Sequence, residues 1–418
     1  MTTPDTSMAG LDAALLDEQD SLRQFRQRFH LPEDVIYLDG NSLGPASHAA
    51  LAALKRAAHD EWAEGLIRSW NTAGWFKLPK TLGSRIAPLV GAASEQVIVC
   101  DTVTLNLYKL LHAALTLRPG RRRIVAEAGS FPTDLYIAQG VARHFPGVEL
   151  KLSGRDGDTL EELIDEDTAV VLVNHVDYRS GVLQDMAALT AIAHQAGALA
   201  VWDLCHSVGA MPIELDACQV DFAVGCTYKY LNGGPGAPAL AYVAERHHAR
   251  LEQPLAGWWG HARPFDFDTD YTPAPGVQSL QTSTQAMLSM RCLSGALDDW
   301  DEVDLHALRE KSLQLTQYFM DLVEARLSAY PLRCITPTRP EQRGSQVSIQ
   351  FEHAYPMVQA LIARGVIGDF RAPDVMRFGF TPLYLGFSDV ARAVEIMQDL
   401  LDTETWKDPA YAVRQAVT

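Results

Sequence analysis

Short apolar runs alternate with segments of helical periodicity along the middle of the chain, from Val97 onward. The runs are four to six residues long and rich in Val, Ile, Leu and Ala, which is typical of strands buried on both faces. Between them, segments such as Leu105–Leu117 and Met186–Gly197 repeat apolar residues with the period of a helix. This alternation predicts βαβ units and a mostly parallel sheet with helices on both faces. The predicted strands are Val97–Cys100, Arg123–Ala128, Thr168–Val173, Ala198–Trp202, Asp221–Gly225 and Ala239–Val243.

The pattern changes after Trp258, and the elements beyond it predict a smaller α+β domain. A helix near the start of the chain, over Leu11–Phe29, is predicted to join that domain as an arm or cap. We therefore predict an arm over residues 1–60, a large domain over 61–290 and a small domain over 291–418. The small domain's predicted elements are a long helix over Leu305–Leu327, a strand over Gln346–Phe351, a helix over Pro356–Arg364, a strand over Met376–Gly379 and a last helix over Ser388–Leu401.

Charge and cysteine content narrow the possible partners. The 418 residues carry a formal net charge of -17, which argues against nucleic acid or an anionic membrane as the main partner because both require a basic surface. No apolar run approaches 18 residues and no signal segment opens the chain, so we expect a cytoplasmic protein. The six cysteines form no CxxC motif, and we predict reduced thiols and no metal site.

Two of the predicted strands end in groups that carry chemistry. Asp203 closes the run Ala198–Trp202, and Lys229 follows the run Asp221–Gly225 just before a glycine-rich loop. Parallel neighbours would bring both residues to the same sheet edge. A partly dehydrated lysine favours its neutral, nucleophilic amine, which forms a Schiff base with an aldehyde. Pyridoxal phosphate needs such a lysine and a carboxylate at its ring nitrogen, so the pair predicts this cofactor.

Other strand ends offer the remaining contacts that a phosphorylated cofactor needs. Val103 and Thr104 open a helix after a strand, which suits a phosphate but equally fits an ordinary helix cap. Phe131 offers a stacking surface and Asp134 a second polar group, although a loop turned by proline explains the same residues. Tyr228 precedes the lysine and is a candidate phosphate contact or acid.

Two further residues have alternative interpretations. His206 either orients the cofactor ring or satisfies a neighbouring polar group. Arg377 lies inside an apolar strand, where an arginine is costly unless it is paired. Its partner is either a substrate carboxylate, which suits a bidentate guanidinium, or an internal salt bridge.

Several motifs together resemble the kynureninases, which are pyridoxal phosphate enzymes of fold type I, the aspartate aminotransferase type. The lysine and aspartate alone are shared across that superfamily, whereas the combination of motifs is far more specific. The resemblance extends from about Ile36 to Phe387. The motifs are Leu38-Asp-Gly-Asn-Ser-Leu-Gly-Pro45, Phe131-Pro-Thr-Asp134, Asp203-Leu-Cys-His-Ser-Val-Gly209, Tyr228-Lys-Tyr-Leu-Asn-Gly-Gly-Pro-Gly236, Gly257-Trp-Trp-Gly-His261 and Arg377-Phe-Gly-Phe-Thr-Pro-Leu-Tyr384.

The resemblance implies a role for each matching position. Lys229 would form the Schiff base, Asp203 would pair with the ring nitrogen and His206 would lie beside it. Arg377 would hold the substrate carboxylate. Trp258 and Thr284 would complete the cofactor site of a neighbouring subunit, which implies a homodimer. The other cofactor contacts would be Val103, Thr104, Phe131, Asp134 and Tyr228, with Asn174 at a position where some relatives carry serine.

The implied reaction is hydrolysis of L-kynurenine to anthranilate and L-alanine, with 3-hydroxy-L-kynurenine as an alternative substrate. Lys229 would move the Cα proton, and Tyr228 is a candidate proton donor in later steps. Among rival functions, a cysteine desulfurase or β-lyase needs a nucleophilic cysteine on a mobile loop, and Cys334 instead lies in a predicted strand. An aminotransferase shares the lysine, the acid and the arginine and stays open. A protein that binds the cofactor without turnover is the other alternative, and the intact lysine, aspartate and arginine argue against it.

Overall fold

A computed structural model describes residues 7–155 and 157–415. The chain divides into two compact units. Unit 1 comprises residues 1–48, 179–183 and 299–418, and unit 2 comprises residues 49–178 and 184–298. Unit 2 contains residues 49–60, which the sequence assigns to the arm. It also contains residues 291–298, which the sequence assigns to the small domain. The helices that contain them approach closely, because a Cβ on Gly295 would lie 2.5 Å from the backbone oxygen of Ala49.

The helices and strands follow the periodicities of the sequence. The helices are α1 (Ala13–Gln19), α2 (His48–Arg56), α3 (Ser69–Thr72), α4 (Leu78–Ile86), α5 (Val103–Leu117), α6 (Pro132–Ala142), α7 (Leu160–Leu163), α8 (Met186–Gln195), α9 (Met287–Trp300), α10 (Leu305–Leu327), α11 (Ala354–Ala363) and α12 (Phe387–Asp402). The strands are β1 (Ile36–Tyr37), β2 (Val97–Val99), β3 (Arg123–Glu127), β4 (Glu149–Ser153), β5 (Thr168–Asn174), β6 (Leu199–Asp203), β7 (Phe222–Gly225), β8 (Leu240–Val243), β9 (Arg333–Cys334), β10 (Gln346–Gln350), β11 (Val366–Ile367), β12 (Asp369–Arg371) and β13 (Val375–Gly379).

The main sheet of unit 2 has the strand order β2-β8-β7-β6-β5-β3-β4 in the described part of the chain. The neighbours from β7 to β4 are all parallel, whereas β8 runs antiparallel to both β7 and β2. Every residue of β5 and β6 is buried, as expected for strands covered on both faces. The predicted α/β fold with a mostly parallel sheet is confirmed.

Unit 1 contains a sheet of order β12-β13-β10-β9 whose neighbours are antiparallel, and a short parallel pair formed by β1 and β11. The helix α10 begins after Asp304, whose carboxylate caps it by accepting hydrogen bonds from the backbone N–H groups of His306 and Ala307. Cys334 lies in β9, paired with Ile349 of β10. Its predicted strand position is confirmed.

The single helix predicted over Leu11–Phe29 is wrong, because the segment breaks at Asp20. The helix α1 ends at Gln19, and a 3₁₀ turn follows over Arg23–Arg28. The Asp20 carboxylate accepts a hydrogen bond from the backbone N–H of Leu22 and pairs with Lys311 Nζ at 2.6 Å. These two contacts of the Asp20 carboxylate favour a helix that ends before Asp20 over one continuous helix.

A membrane-spanning helix needs both length and apolar composition, and none of the helices within residues 7–155 and 157–415 has both.

Asp221, just before β7, is the centre of a buried polar network in unit 2. Its carboxylate accepts hydrogen bonds from the backbone N–H of Ala200 at 2.9 Å and from Arg246 Nη2 at 2.7 Å. The Nε2 atoms of His194 and His247 each lie 2.7 Å away. Burial by itself raises the pKa of Asp221, but the hydrogen bonds outweigh it and hold this pKa well below its usual range.

We predict that Asp221→Asn lowers the free energy of unfolding at pH 7 by about 3 kcal/mol, because the histidines and the arginine lose a buried anion. Because the pKa of Asp221 is lower in the native state than in the unfolded state, Asp221 stabilises the native state at pH values above its unfolded pKa of about 4. This stabilisation is lost as the pH falls through the native pKa. Urea denaturation should therefore show a gap between wild type and variant that narrows at acid pH. Asp167→Asn, at an exposed position, is the control and should change stability by less than about 0.5 kcal/mol. A gap that widened at acid pH would contradict this account.

Candidate active site

A pocket with an empty volume of about 830 Å³ lies in unit 2 where the carboxyl ends of its parallel strands converge. This edge is where ligands gather in open α/β sheets. The residues that the sequence predicts for a cofactor site, and that line this one pocket, are Val103, Thr104, Phe131, Asp134, Asn174, Asp203, His206, Tyr228 and Lys229.

Lys229 lies in the loop after β7 and is half-buried. Its Nζ is 3.0 Å from Nε2 of His206 and 5.9 Å from the centroid of the Phe131 ring. The loop curls back because Asn232, Gly234 and Gly236 adopt positive φ angles, which glycine and asparagine tolerate best. The amine is thus held inside the pocket beside an imidazole that can exchange a proton with it.

Two carboxyl groups face the same pocket at the ends of different elements. Asp203 closes β6, is 5% exposed, and accepts a hydrogen bond from the backbone N–H of Cys205 at 2.7 Å. Asp134 lies in the first turn of α6 and is 1% exposed. Burial, followed by the charge of Asp203, raises the pKa of Asp134 well above its usual range. This shift favours the protonated form of Asp134 beside Asp203.

Asn174, the last residue of β5, links this acid to the aromatic wall of the pocket. Its Nδ2 donates to Asp134 Oδ2 at 2.6 Å, and its Oδ1 accepts from the backbone N–H of Phe131 at 3.0 Å. The Phe131 ring is 41% exposed and packs edge-to-face against Tyr178, with centroids 5.2 Å apart. The amide thus fixes both the ring and the acid.

The opposite end of the pocket is built from the N-terminus of α5. Thr102 caps the helix by accepting from the backbone N–H of Leu105 at 3.3 Å. The first N–H groups of a helix, here those around Val103 and Thr104, have no partner within the helix and attract anions. Tyr228 lines the same pocket, and burial, followed by Cys226 and Cys205, raises its pKa. Its phenol is therefore neutral and can donate a hydrogen bond.

These side chains fit pyridoxal phosphate. Lys229 suits the aldehyde, the Asp203 carboxylate suits a protonated ring nitrogen, the N-terminus of α5 suits the phosphate and Phe131 suits one ring face. No group of three or more His, Cys, Asp and Glu side chains in the described residues could hold a metal ion.

Comparison with known proteins agrees with this chemistry. The model of the kynureninase C-terminal domain matches residues 308–397. The kynureninase of Burkholderia mallei (strain SAVP1) is 51% identical over 412 residues, which cover 97% of this chain and 99% of the relative. The kynureninase of Pseudomonas fluorescens is 48% identical over the same shares.

The chain belongs to the kynureninase family.

Solved structures show the same fold at lower identity. A cysteine desulfurase from Thermococcus onnurineus NA1 has a TM-score of 0.76 and 19% identity, and the match covers 91% of this chain and 98% of that one. A lysine-to-alanine variant of C-DES, with glycine covalently linked to its PLP cofactor, has a TM-score of 0.77 and 16% identity over 90% and 99%. At such identities these likenesses show the fold of the kynureninase-family chain and nothing about its substrate.

Three predicted site residues do not line the pocket. Trp258 is 42% exposed and Thr284 is also exposed. Arg377, in β13 of unit 1, is 1% exposed and its Nε and Nη2 bind both carboxylate oxygens of Asp369, at 2.8 and 2.5 Å. The internal salt bridge that the sequence left as an alternative is therefore present.

Sequence reasoning missed eight of the residues that line the pocket, and Cys205 and Tyr178 are the two among them with a reactive or aromatic side chain. Both follow a strand end, Cys205 two residues after β6 and Tyr178 four residues after β5. The rule that ligand contacts follow the carboxyl ends of parallel strands would have identified them had it been applied to every residue after each strand.

Proposed function

We propose that this chain hydrolyses L-kynurenine to anthranilate and L-alanine with pyridoxal phosphate bound in the pocket of unit 2. The observation that supports it most is the meeting of Lys229, His206 and Asp203 in one pocket, in a chain 51% identical to a kynureninase over nearly its full length. When bound, the cofactor supplies an electron sink for negative charge developing on the substrate carbons.

The protein's own groups hold the cofactor and set its charge state. The Asp203 carboxylate would accept a hydrogen bond from the protonated ring nitrogen, and the raised pKa of Asp134 beside it disfavours a second negative charge there. Phe131 would cover one ring face, while the N–H groups around Val103 and Thr104 would bind the phosphate with help from Tyr228. Asn174 acts indirectly, by holding Asp134 and Phe131 in place.

Proton movements are assigned to three side chains. Lys229 removes the proton at the substrate Cα, and His206, whose Nε2 lies 3.0 Å from Lys229 Nζ, accepts or returns a proton there. Water attacks the side-chain ketone, and cleavage of the Cβ–Cγ bond leaves a carbon that must be protonated to give alanine. Tyr228 keeps its proton at neutral pH because burial raises its pKa, so it is the donor. The contact of Arg377 with the substrate α-carboxylate, which the resemblance implies, stays a prediction, since Arg377 is bound to Asp369.

The assignment is tested by mixing the cofactor-loaded protein with L-kynurenine in the absence of a keto acid. Anthranilate, followed by fluorescence, and alanine, followed by chromatography, should form in equal amounts, since hydrolysis needs only water. 3-Hydroxy-L-kynurenine is assayed beside it to establish the preferred substrate. Turnover that required a keto acid would indicate an aminotransferase, and binding of the cofactor without product would overturn the assignment.

For Tyr228→Phe we predict that kcat falls by about 100-fold, because general acid catalysis contributes about that factor. Affinity for pyridoxal phosphate should change far less, since several backbone N–H groups hold the phosphate. Stopped-flow and steady-state kinetics on the loaded variant measure kcat. Tyr136→Phe is the matched control, because Tyr136 is 67% exposed and its loss should leave kcat unchanged. Full turnover in Tyr228→Phe would remove this residue as the donor.

We also propose a homodimer in which Trp258 and Thr284 reach the cofactor site of the partner. Unit 2 exposes an aromatic patch that supports this, formed by Trp258, Phe265 and Phe267, which are 42%, 63% and 81% exposed. The ring centroids of Trp258 and Phe265 lie 6.1 Å apart, and those of Phe265 and Phe267 lie 6.5 Å apart. Contiguous exposed apolar surface of this kind is typical of interaction sites.

A cytoplasmic location is proposed as well, since all six cysteines are free thiols, as in reducing compartments.

Shared sites predict complementation between two inactive variants. Lys229→Ala and Trp258→Ala homodimers should each have little activity. Co-expressed, they form mixed dimers in which one of the two sites combines an intact Lys229 with the partner's intact Trp258, so the activity of the mixed dimer should reach about half of wild type in a two-fold dimer. Kinetics on dimers purified through two different tags measure it. Activity no higher than that of the separate homodimers would show that Trp258 does not serve the neighbouring site.

A further inference from the structure

A buried lysine of α5 in unit 2 is paired with an aspartate that precedes this helix. Lys109 is 0% exposed, and its Nζ donates hydrogen bonds to Asp101 Oδ2 at 2.8 Å and to Leu280 O at 2.6 Å. Its third contact is Cys100 Sγ at 3.7 Å. An ammonium has three N–H donors, so each of them has a partner here. A buried charge is tolerated only when it is paired in this way.

Asp101 is held from several directions. Its carboxylate pairs with Lys109 and accepts a hydrogen bond from Thr282 Oγ1, which lies 3.2 and 3.3 Å from the two oxygens. Its backbone N–H donates to Gln285 Oε1 at 3.1 Å, and its backbone O accepts from the N–H of Ala239 at 3.0 Å. The φ angle of Asp101 is +47°, in the left-handed region that few residues other than glycine, asparagine and aspartate adopt. Such a conformation persists only where the surrounding contacts fix it.

The position of Asp101 brings a negative charge close to the proposed phosphate contacts. Thr102, the next residue, caps α5, and Val103 opens the helix. Consecutive Cα atoms are about 3.8 Å apart, so no more than about 8 Å separate the Cα of Asp101 from that of Val103. The Asp101 side chain is 12% exposed, so water screens its charge only weakly. An isolated carboxylate here would repel the phosphate that the first N–H groups of the helix attract.

The ion pair cancels this negative charge. The ammonium of Lys109 and the carboxylate of Asp101 contribute one charge of each sign. Burial raises the pKa of the Cys100 thiol to about 11, so the thiol stays neutral, and the side chains of Thr282 and Gln285 are uncharged. The charges of Asp101 and its side-chain partners therefore sum to zero.

We propose that Lys109 is a positioning residue for the cofactor phosphate: its ammonium neutralises the Asp101 carboxylate and so preserves the attraction of the α5 N-terminus for the anion. The inference rests on the proposed function, in which the N–H groups around Val103 and Thr104 bind that phosphate. The net charge beside the first turn of α5 should accordingly set how much the phosphate contributes to cofactor binding. An ion pair that only stabilised the fold would instead affect every form of the cofactor alike.

The test compares pyridoxal phosphate with pyridoxal, which lacks the phosphate, on the full-length protein freed of cofactor. Both are titrated at pH 8 and followed by their absorbance. The dissociation constant of pyridoxal divided by that of pyridoxal phosphate measures the contribution of the phosphate. Lys109→Met leaves the Asp101 carboxylate uncompensated, so this ratio should fall by about tenfold.

Two further variants separate charge from packing. Asp101→Asn leaves the positive charge of Lys109 and should raise the ratio by about tenfold, in the opposite direction to Lys109→Met. The double variant Lys109→Met/Asp101→Asn is neutral again, and its ratio should return to within about threefold of wild type. Lys55→Met removes an exposed lysine of α2 and is the matched control, which should keep the wild-type ratio.

A ratio in Asp101→Asn no higher than that of the double variant would overturn the inference, and this comparison decides it even where Lys109→Met does not fold. Equal ratios in Lys109→Met and the double variant would overturn it as well. Anthranilate release by the wild type is measured beside these titrations. Unmoved ratios with normal anthranilate release overturn this inference alone, whereas shifted ratios without anthranilate overturn the proposed reaction and leave the role of Lys109 standing.

Discussion

The parallel pairing of β6 with β7 is the constraint on which the active site depends. Strands that run side by side in the same direction end at one edge, so the register that places Asp203 opposite Val224 also brings the following loop, with Lys229, to that edge. Neither residue is chemically unusual alone. Hydrogen bonds of the buried sheet hold both, and a slip of one residue would turn the side chain of Asp203 to the other face.

Around that pair, the site uses neutral polar groups to preserve one negative charge. Asp134 lies beside Asp203, and burial, followed by the charge of Asp203, raises its pKa and favours its protonated form. Asn174 stabilises this arrangement by hydrogen bonding to Asp134 and to the backbone of Phe131.

The sequence predicts the parallel core well because long, fully apolar runs such as β5 have few alternatives to burial. It also predicts nine of the residues that line the pocket, since their positions after strand ends follow from the direction of the chain. It does not predict the antiparallel direction of β8, because an apolar run looks the same in either direction. The pairing of Arg377 with Asp369 needs the register of β12 against β13, and the break at Asp20 needs the distant Lys311.

The antiparallel direction of β8 affects the mobility of the Lys229 amine. A return in the opposite direction needs no crossover helix, so only residues 226–239 separate β7 from β8. Within that loop, Thr227 Oγ1 donates to Pro238 O at 2.6 Å, and the N–H of Gly233 donates to Thr227 O at 2.9 Å. A loop tied at both ends and braced across its middle restricts the volume that Nζ of Lys229 can explore. We therefore expect a high effective molarity of this amine toward an aldehyde bound in the pocket, as for a well-oriented intramolecular nucleophile.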